Sequence, residues 1–354
     1  MLKVGIIGCG KIAQVRHAPE YLENPNCSLE AFYDVDFERA RRFAEEFGGK
    51  AYASMEELLA ADLDAVSICT ANIYHAQGTV AALKAGKHVL CEKPMAMNMQ
   101  DADEIIRRSK EKNVKVSACH QNRFNIAVQE LRKALEAGRF GRLSHGSIHV
   151  RWNRNRDYYD QAPWRGKWAT DGGALMNQCI HGIDLLRWMM GNEIEEVYGQ
   201  TRRQFHGYLE AEDVGMAVIK FKNGAIATVE GTTNVYPQNL EETLYVFGEK
   251  GTVKLGGKST NNIDVWEFAD QADGDTRNKG LEEATSNVYG NGHTSLFADM
   301  IDAIQNDREP YVDAQAGRNA LELVLAIYKS QKTGMPVKLP LDGFASTDME
   351  GEFG

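Results

Sequence analysis

The sequence predicts an α/β protein: a doubly wound parallel sheet first, then a second α/β domain rich in antiparallel strands. Three observations carry this. Apolar strand-like runs alternate with helical segments over the first third of the chain. A glycine-rich turn follows the first of those runs. Beyond residue 143 the pattern changes to successive β-runs separated by tight-turn signals.

The early strands are expected at Leu2–Ile7, Leu29–Tyr33, Ala65–Cys69, His88–Cys91 and Lys115–Cys119. Helical segments fall between them at Phe37–Phe47, Met55–Ala61, Ala76–Ala85 and Asp101–Asn113. Ser54 with Glu57 makes a capping box, Asp36 is placed as an N-cap, and Gly86 stands where a helix C′ residue is wanted. A further helix is expected near Ile126–Ala137. Then come β-runs at Leu143–Trp152, Val197–Gln204, Gly215–Phe221, Ala225–Thr233, Glu242–Phe247 and Gly251–Leu255. Lys222-Asn223-Gly224 and Glu249-Lys250-Gly251 mark tight turns between antiparallel neighbours. One helix, Ala174–Met190, interrupts this region, and helices near Ser295–Asn306 and Ala314–Thr333 end it.

At 354 residues the chain exceeds what one compact core usually serves. The expected division is 1–122 and 123–340, with the 314–333 helix packing back on the first domain and an acidic mobile tail at 341–354. A net charge of −10 disfavours nucleic acid or an anionic membrane as partner. No apolar run approaches the roughly 20 residues of a membrane helix, and no secretory leader is read at Met1–Gly10, so a cytoplasmic protein is expected. The six cysteines include no C-x-x-C pair. No metal site is indicated, and buried thiols are expected.

Gly8-Cys9-Gly10-Lys11-Ile12-Ala13 is a G-x-G-x-x-A motif directly after an apolar strand. Gly8 serves the tight turn, Gly10 lets the backbone approach a pyrophosphate, and Ala13 permits close helix–sheet packing. This is the Rossmann arrangement. Asp34 ends the second strand, where a carboxylate accepts from the adenosine ribose hydroxyls. It repels a 2′-phosphate, and Val35 rather than an arginine follows it, so NAD is expected over NADP. Cys91-Glu92-Lys93-Pro94 follows the strand at 88–91. Lys93 therefore sits at the carboxyl end of a parallel strand, where such sheets bind ligands, and Pro94 restricts its backbone.

Gly8-Cys9-Gly10, Thr70-Ala71-Asn72 with His75, Glu92-Lys93-Pro94, and Gly172-Gly173-Ala174 with His181 and Asp184 together resemble the glucose–fructose oxidoreductase / inositol dehydrogenase (Gfo/Idh/MocA) family, over nearly the whole chain. The resemblance implies a Rossmann domain followed by an α/β domain with an open, mostly antiparallel sheet. It also implies a homodimer or homotetramer and hydride transfer between NAD(P) and a sugar-type carbon. The cofactor set it suggests is Gly8, Gly10, Lys11, Ile12, Asp34, Thr70, Asn72, His75, Glu92, Lys93 and Gln121.

Oxidising an alcohol needs a base for the hydroxyl proton and a positive group for the developing alkoxide. Asn177, His181 and Asp184 at i, i+4 and i+7 share a helix face. With the resemblance, His181 becomes the expected base and Lys93 its electrostatic partner. Asp184 is read either as an orienting group or as an ordinary helix polar residue. The inositol dehydrogenase pattern carries Asp four residues before the histidine. Here it is Asn177, which cannot take a proton at neutral pH.

A basic, aromatic island runs from Arg151 to Trp168 in this acidic chain. Its composition suits either a solvated strand end or a pocket for phosphate and carboxylate. Gln121-Asn122-Arg123, Tyr158-Tyr159-Asp160, Trp164-Arg165-Gly166, Met176-Asn177-Gln178, Tyr236-Pro237 with Asn239, and Gly290 with Gly292-His293 resemble one subgroup, the bacterial dehydrogenases acting at C3 of UDP-N-acetylglucosaminuronic acid. Expected substrate contacts are Lys93, Arg154, Tyr159, Arg165, Asn177, His181 and Tyr236. Two other readings stand beside this one: a family oxidoreductase acting on a free polyol, aminosugar or sugar acid, and an NAD-binding sensor that regulates a partner.

Overall fold

The computed structural model of the chain describes residues 1–284 and 290–353. It divides into two compact units, Met1–Cys119 with His293–Arg318, and His120–Gly292 with Asn319–Gly354.

The first unit is a six-stranded parallel sheet of β1 (Leu2–Ile7), β2 (Cys27–Tyr33), β3 (Lys50–Tyr52), β4 (Ala65–Ile68), β5 (His88–Cys91) and β6 (Val116–Ala118). The strand order is β3-β2-β1-β4-β5-β6, the doubly wound order in which the crossover from one half-sheet to the other falls beside β1. The central strands are apolar because both of their faces are covered: Val4, Ile6, Ile7, Val66, Ile68, Val89 and Leu90 are all at most 1% exposed. The helix after Gly10 starts with a π-helical turn, Ala13–His17, and continues as Ala18–Glu23. The caps form as the residue types dictate. Asp36 accepts from the Arg39 amide, Ser54 Oγ from the Glu57 amide, and Gly86 adopts φ 74°. The short edge strand β3 carries only three residues and no alternation, which is why the sequence pattern passes over it.

The expected domain boundary is corrected by the return of the chain to this unit. Residues 293–318 belong to it because the Ala118 amide and the Ser117 hydroxyl both donate to Val312 O, at 3.1 and 2.9 Å. Lys115 Nζ reaches Asp307 and Glu309, each at 3.1 Å. The helix Gly292–Gln305 brings Leu296, Phe297 and Met300 into the core. Of the Ala314–Thr333 helix, only Ala314–Arg318 belongs here.

The second unit is an eight-stranded mixed sheet of β7 (Leu143–Arg151), β8 (Ile194–Arg202), β9 (Val214–Phe221), β10 (Ile226–Thr232), β11 (Glu241–Gly248), β12 (Gly251–Gly256), β13 (Asn262–Phe268) and β14 (Val337–Lys338). The order is β13-β12-β11-β7-β10-β9-β8-β14. Among the described residues only the β7–β10 pair of this sheet is parallel. One face packs against the helix Ile180–Met190 and the last helix, with Ile148, Val150, Ile219, Leu244 and Val246 buried. The other face is open: Tyr198, Met216, Val218 and Ile226 are 43–55% exposed. The expected single helix 174–190 is two, Gly173–Asn177 and Ile180–Met190, parted at Gln178 and Cys179. The stretch from residue 341, expected to be a mobile tail, is packed. Met349 and Ser346 are fully buried, Phe353 lies against Trp168 with ring centroids 6.1 Å apart, and Gln331 Nε2 donates to Glu352 at 3.1 Å. Its apolar residues outweigh its acidic composition.

Candidate active site

In the first unit, the turn after β1 is shaped twice over by glycine. Gly8 has φ 95°, and a Cβ there would meet Cys69 C and Thr70 N at 2.7 Å. At Gly10 a Cβ would meet nothing within 4 Å. The protein's own packing thus requires a glycine at position 8, but leaves open ground over position 10, as a dinucleotide cradle must. Asp34 is buried at the end of β2. Its Oδ2 accepts from the Cys9 amide at 2.8 Å and its Oδ1 from the Asp36 amide at 2.9 Å. Arg39 Nη1 stands 3.5 Å from Asp34 Oδ2. The sequence reading looked for an arginine directly after Asp34 and so missed this one, a helical turn further on.

Around the carboxyl ends of β4 and β5, His75 spans Pro94 O at 2.7 Å and Thr70 O at 2.9 Å. Burial lowers its pKa, so the ring is neutral, with one N–H to donate to one of these two carbonyls, and it stands between the loop of Thr70–Asn72 and that of Lys93-Pro94. The Lys93–Pro94 peptide is cis. Glu92 Oε1 lies 2.9 Å from His17 Nε2, and its Oε2 accepts from the Lys93 amide at 3.1 Å. Burial opposes the charge on Glu92, yet the hydrogen bond and charge of His17 win, and its pKa sits well below the ordinary carboxylate range. Ligand-capable atoms of His17, Glu92 and Cys119 lie within 4.8 Å of one another. Lys11 is exposed and Ile12 half-buried at the start of the helix.

In the second unit, Gly172 and Gly173 take φ 82° and 90°, opening the helix that ends at Asn177. Asn177 Nδ2 donates to Asp171 Oδ1 at 2.6 Å, and Asp171 Oδ2 accepts from the Gly166 amide at 2.7 Å. A carboxylate therefore does stand beside position 177, supplied from six residues upstream. His181 is 8% exposed and packs edge-on to His120, with ring centroids 5.6 Å apart. Asp184 is bound by Arg123 through two hydrogen bonds of 2.7 and 2.6 Å, both residues being buried. Arg123 in turn lies over the Trp188 ring, 4.5 Å from its centroid. Asp184 thus ties the Ile180–Met190 helix to the turn carrying Gln121, which this division of the chain puts in the second unit.

The Arg151–Trp168 island forms a stack around one tyrosine. Arg165 lies 4.0 Å and Arg154 5.1 Å from the Tyr158 ring centroid, and Gln178 Nε2 donates to the Tyr158 hydroxyl at 2.8 Å. Tyr159, the expected contact, is instead 7% exposed and meets Thr233 Oγ1 at 3.3 Å. Adjacent residues of a helical turn project about 100° apart, and nothing in the local pattern chooses between two neighbouring tyrosines. Burial raises the pKa of both hydroxyls, so neither suits a base at neutral pH. Tyr236 is 91% exposed.

Glu212 is a further group that motif reasoning missed. It is fully buried, accepts from the Leu175 amide at 2.8 Å, and meets the Tyr328 hydroxyl at 2.7 Å. A Cβ at Gly173 would sit 1.6 Å from its Oε2. Burial pushes the Glu212 carboxyl up to about 8. Glu242, buried and accepting from Asn122 Nδ2 at 3.3 Å, is likewise raised to about 8 by burial.

A Rossmann cradle with its ribose-side carboxylate, a lysine loop at the carboxyl ends of the parallel strands, and a buried histidine on the helix that follows a short glycine-led one describe a nicotinamide-dependent oxidoreductase acting on CH–OH groups. The comparisons give its family. Residues 2–120 match the Gfo/Idh/MocA oxidoreductase model for the NAD-binding Rossmann fold, and residues 132–339 match that for the C-terminal alpha/beta domain. The chain belongs to the Gfo/Idh/MocA oxidoreductase family. WlbA dehydrogenase from Bordetella pertussis, solved in complex with NADH and UDP-GlcNAcA, is 35% identical, with 96% of this chain and 98% of that one covered at a TM-score of 0.89. WlbA from Chromobacterium violaceum, in complex with the same two molecules, is 33% identical over 96% of each chain, also at 0.89. Myo-inositol 2-dehydrogenase from Thermotoga maritima is 28% identical over 96% of this chain and 98% of its own. Among the described residues no helix is long and apolar enough to cross a membrane.

Proposed function

We propose that this protein is a cytoplasmic NAD-dependent dehydrogenase that oxidises the C3 hydroxyl of a UDP-N-acetylglucosaminuronate-type nucleotide sugar. The observation that carries the substrate is the Arg154–Tyr158–Arg165 stack. Two guanidinium groups gathered on one aromatic ring, in a chain of net charge −10, suit a ligand bearing phosphates, a carboxylate and a planar base. The likeness to the two WlbA structures supports it. Bound NAD supplies the hydride acceptor. His181 takes the hydroxyl proton, and the ammonium of Lys93 steadies the oxygen as negative charge develops. Asn177, held by Asp171, orients the sugar. Asp34 favours NAD by accepting from the ribose hydroxyls. The open face of the second sheet, with Met216, Val218 and Ile226 exposed, suits pairing with a second copy in a homodimer or homotetramer.

The likeness to myo-inositol 2-dehydrogenase supports a second reading, a free polyol or sugar acid as substrate. The test is NADH formation with UDP-N-acetylglucosaminuronate and with myo-inositol, joined to calorimetric titration of UDP in the presence of NAD. Turnover of the nucleotide sugar with UDP binding is expected. No heat at millimolar UDP together with oxidation of a free sugar refutes the nucleotide-sugar reading and leaves the family untouched.

A further inference from the structure

The helix that begins at the dinucleotide cradle also reaches the lysine loop, through a hydrogen-bonded chain. His17, in the π-helical turn Ala13–His17, is 0% exposed. Its Nδ1 lies 3.0 Å from Ser67 Oγ on β4, and its Nε2 lies 2.9 Å from Glu92 Oε1 just beyond β5. Ser67 Oγ is also 2.7 Å from the Tyr21 hydroxyl. Glu92 Oε2 accepts from the Lys93 amide. An ionised carboxylate can only accept, so His17 Nε2 must carry the hydrogen. Nδ1 meets the Ser67 hydroxyl, which in turn meets the Tyr21 hydroxyl. Burial holds the Tyr21 hydroxyl in its protonated, donating form. His17 is thus held at both ring nitrogens, with its Nε2–H aimed at Glu92. Phe297 closes the outside, edge-on to His17 at 5.0 Å and to Tyr21 at 4.7 Å.

A π-turn inserted in an α-helix re-aims the residues around it. Here it delivers a histidine to a carboxylate that an amide could replace if filling space were the only need. We propose that His17, acting through Glu92, is a positioning residue for Lys93: it fixes the backbone at Lys93 and keeps a negative charge beside the ammonium. The inference rests on the role proposed above for Lys93.

Two measurements test it. In hydrogen exchange of the cofactor-free protein, His17→Met should speed exchange of the Lys93 amide roughly tenfold or more, and His17→Gln, which can still donate to Glu92, should restore most of the protection. In NADH formation with UDP-N-acetylglucosaminuronate, or with myo-inositol if that is the sugar turned over, His17→Met should lower kcat roughly tenfold while KM and NAD affinity stay within about threefold. In a Lys93→Met background the same change should cost less than about threefold, because its effect runs through Lys93. A full tenfold loss in that background, or unaltered exchange at Lys93, overturns the proposal. If His17→Met does not fold, Ser67→Ala carries the same test, with about a threefold effect that must also vanish in the Lys93→Met background. Should Lys93→Met itself turn over normally, the role of Lys93 falls, and the exchange measurement still decides whether His17 fixes the loop.

Discussion

Gly8 and Gly10 stand two residues apart in one turn, yet alanine at each meets different surroundings. At position 8 the new methyl would lie 2.7 Å from backbone atoms of Cys69 and Thr70, on a residue with φ 95°. The backbone conformation costs about 1–2 kcal/mol for an L side chain, and the overlap roughly 1–3 more. Gly8→Ala should therefore lose about 2–5 kcal/mol of stability. At position 10 the methyl has nothing within 4 Å and no positive φ to oppose it. Gly10→Ala should leave stability within about 1 kcal/mol of the parent, since any gain from a stiffer unfolded chain is of that size. Its effect belongs to the ligand. A methyl where the pyrophosphate approaches the backbone should weaken NAD by roughly a hundredfold, about 2.7 kcal/mol. Guanidinium unfolding gives the first quantity and calorimetric titration with NAD the second. Parental NAD affinity in a folded Gly10→Ala variant would refute the placement of the dinucleotide over this turn.

Asp34→Ala should weaken NAD by about 1–3 kcal/mol and narrow its advantage over NADP, because the freed Arg39 then faces the ribose edge; titrations with both cofactors check this, and an unchanged NAD-to-NADP ratio contradicts it. Lys93→Met and His181→Asn should each lower kcat by roughly a hundredfold with NAD affinity nearly intact, measured by steady-state kinetics beside cofactor titration; parental turnover in His181→Asn places the base elsewhere. Glu212 binds more protons folded than unfolded between its ordinary 4.5 and about 8. Its contribution to stability is thus complete below pH 4.5 and lost as pH rises through 8, an effect on the order of a few kcal/mol. Melting from pH 6 to 9 should show a decline that Glu212→Gln flattens in part, Glu242 supplying the rest, and a parental melting temperature indifferent to pH over that range would count against both.

The first unit was readable because its strands are buried on both faces and its helices are amphipathic and capped, so local pattern and tertiary role agree. Gly8, Gly10 and Asp34 were readable for the same reason, each being demanded by its own turn or strand end. What escaped depends on contacts between distant segments. Glu212 meets Leu175 across 37 residues. His17 reaches Glu92 across 75 residues. The break at Gln178–Cys179 lies in a run whose periodicity continues straight through it. Acidic composition hid the anchoring of the last residues by Met349 and Phe353.

The return of residues 293–318 to the first unit bears on how the chain matures on the ribosome. The sheet's outer strand β6 lies beside Val312, and the cluster of His17, Tyr21 and Phe297 closes only when the Gly292–Gln305 helix arrives. At synthesis rates of about 5–20 residues per second, the nascent parallel sheet waits on the order of ten seconds or more for those partners, with an apolar flank and a sheet edge uncovered. The Rossmann half is thus not a separable early folder despite coming first. The second unit is interrupted by the same excursion and recovers its last helix only after Asn319.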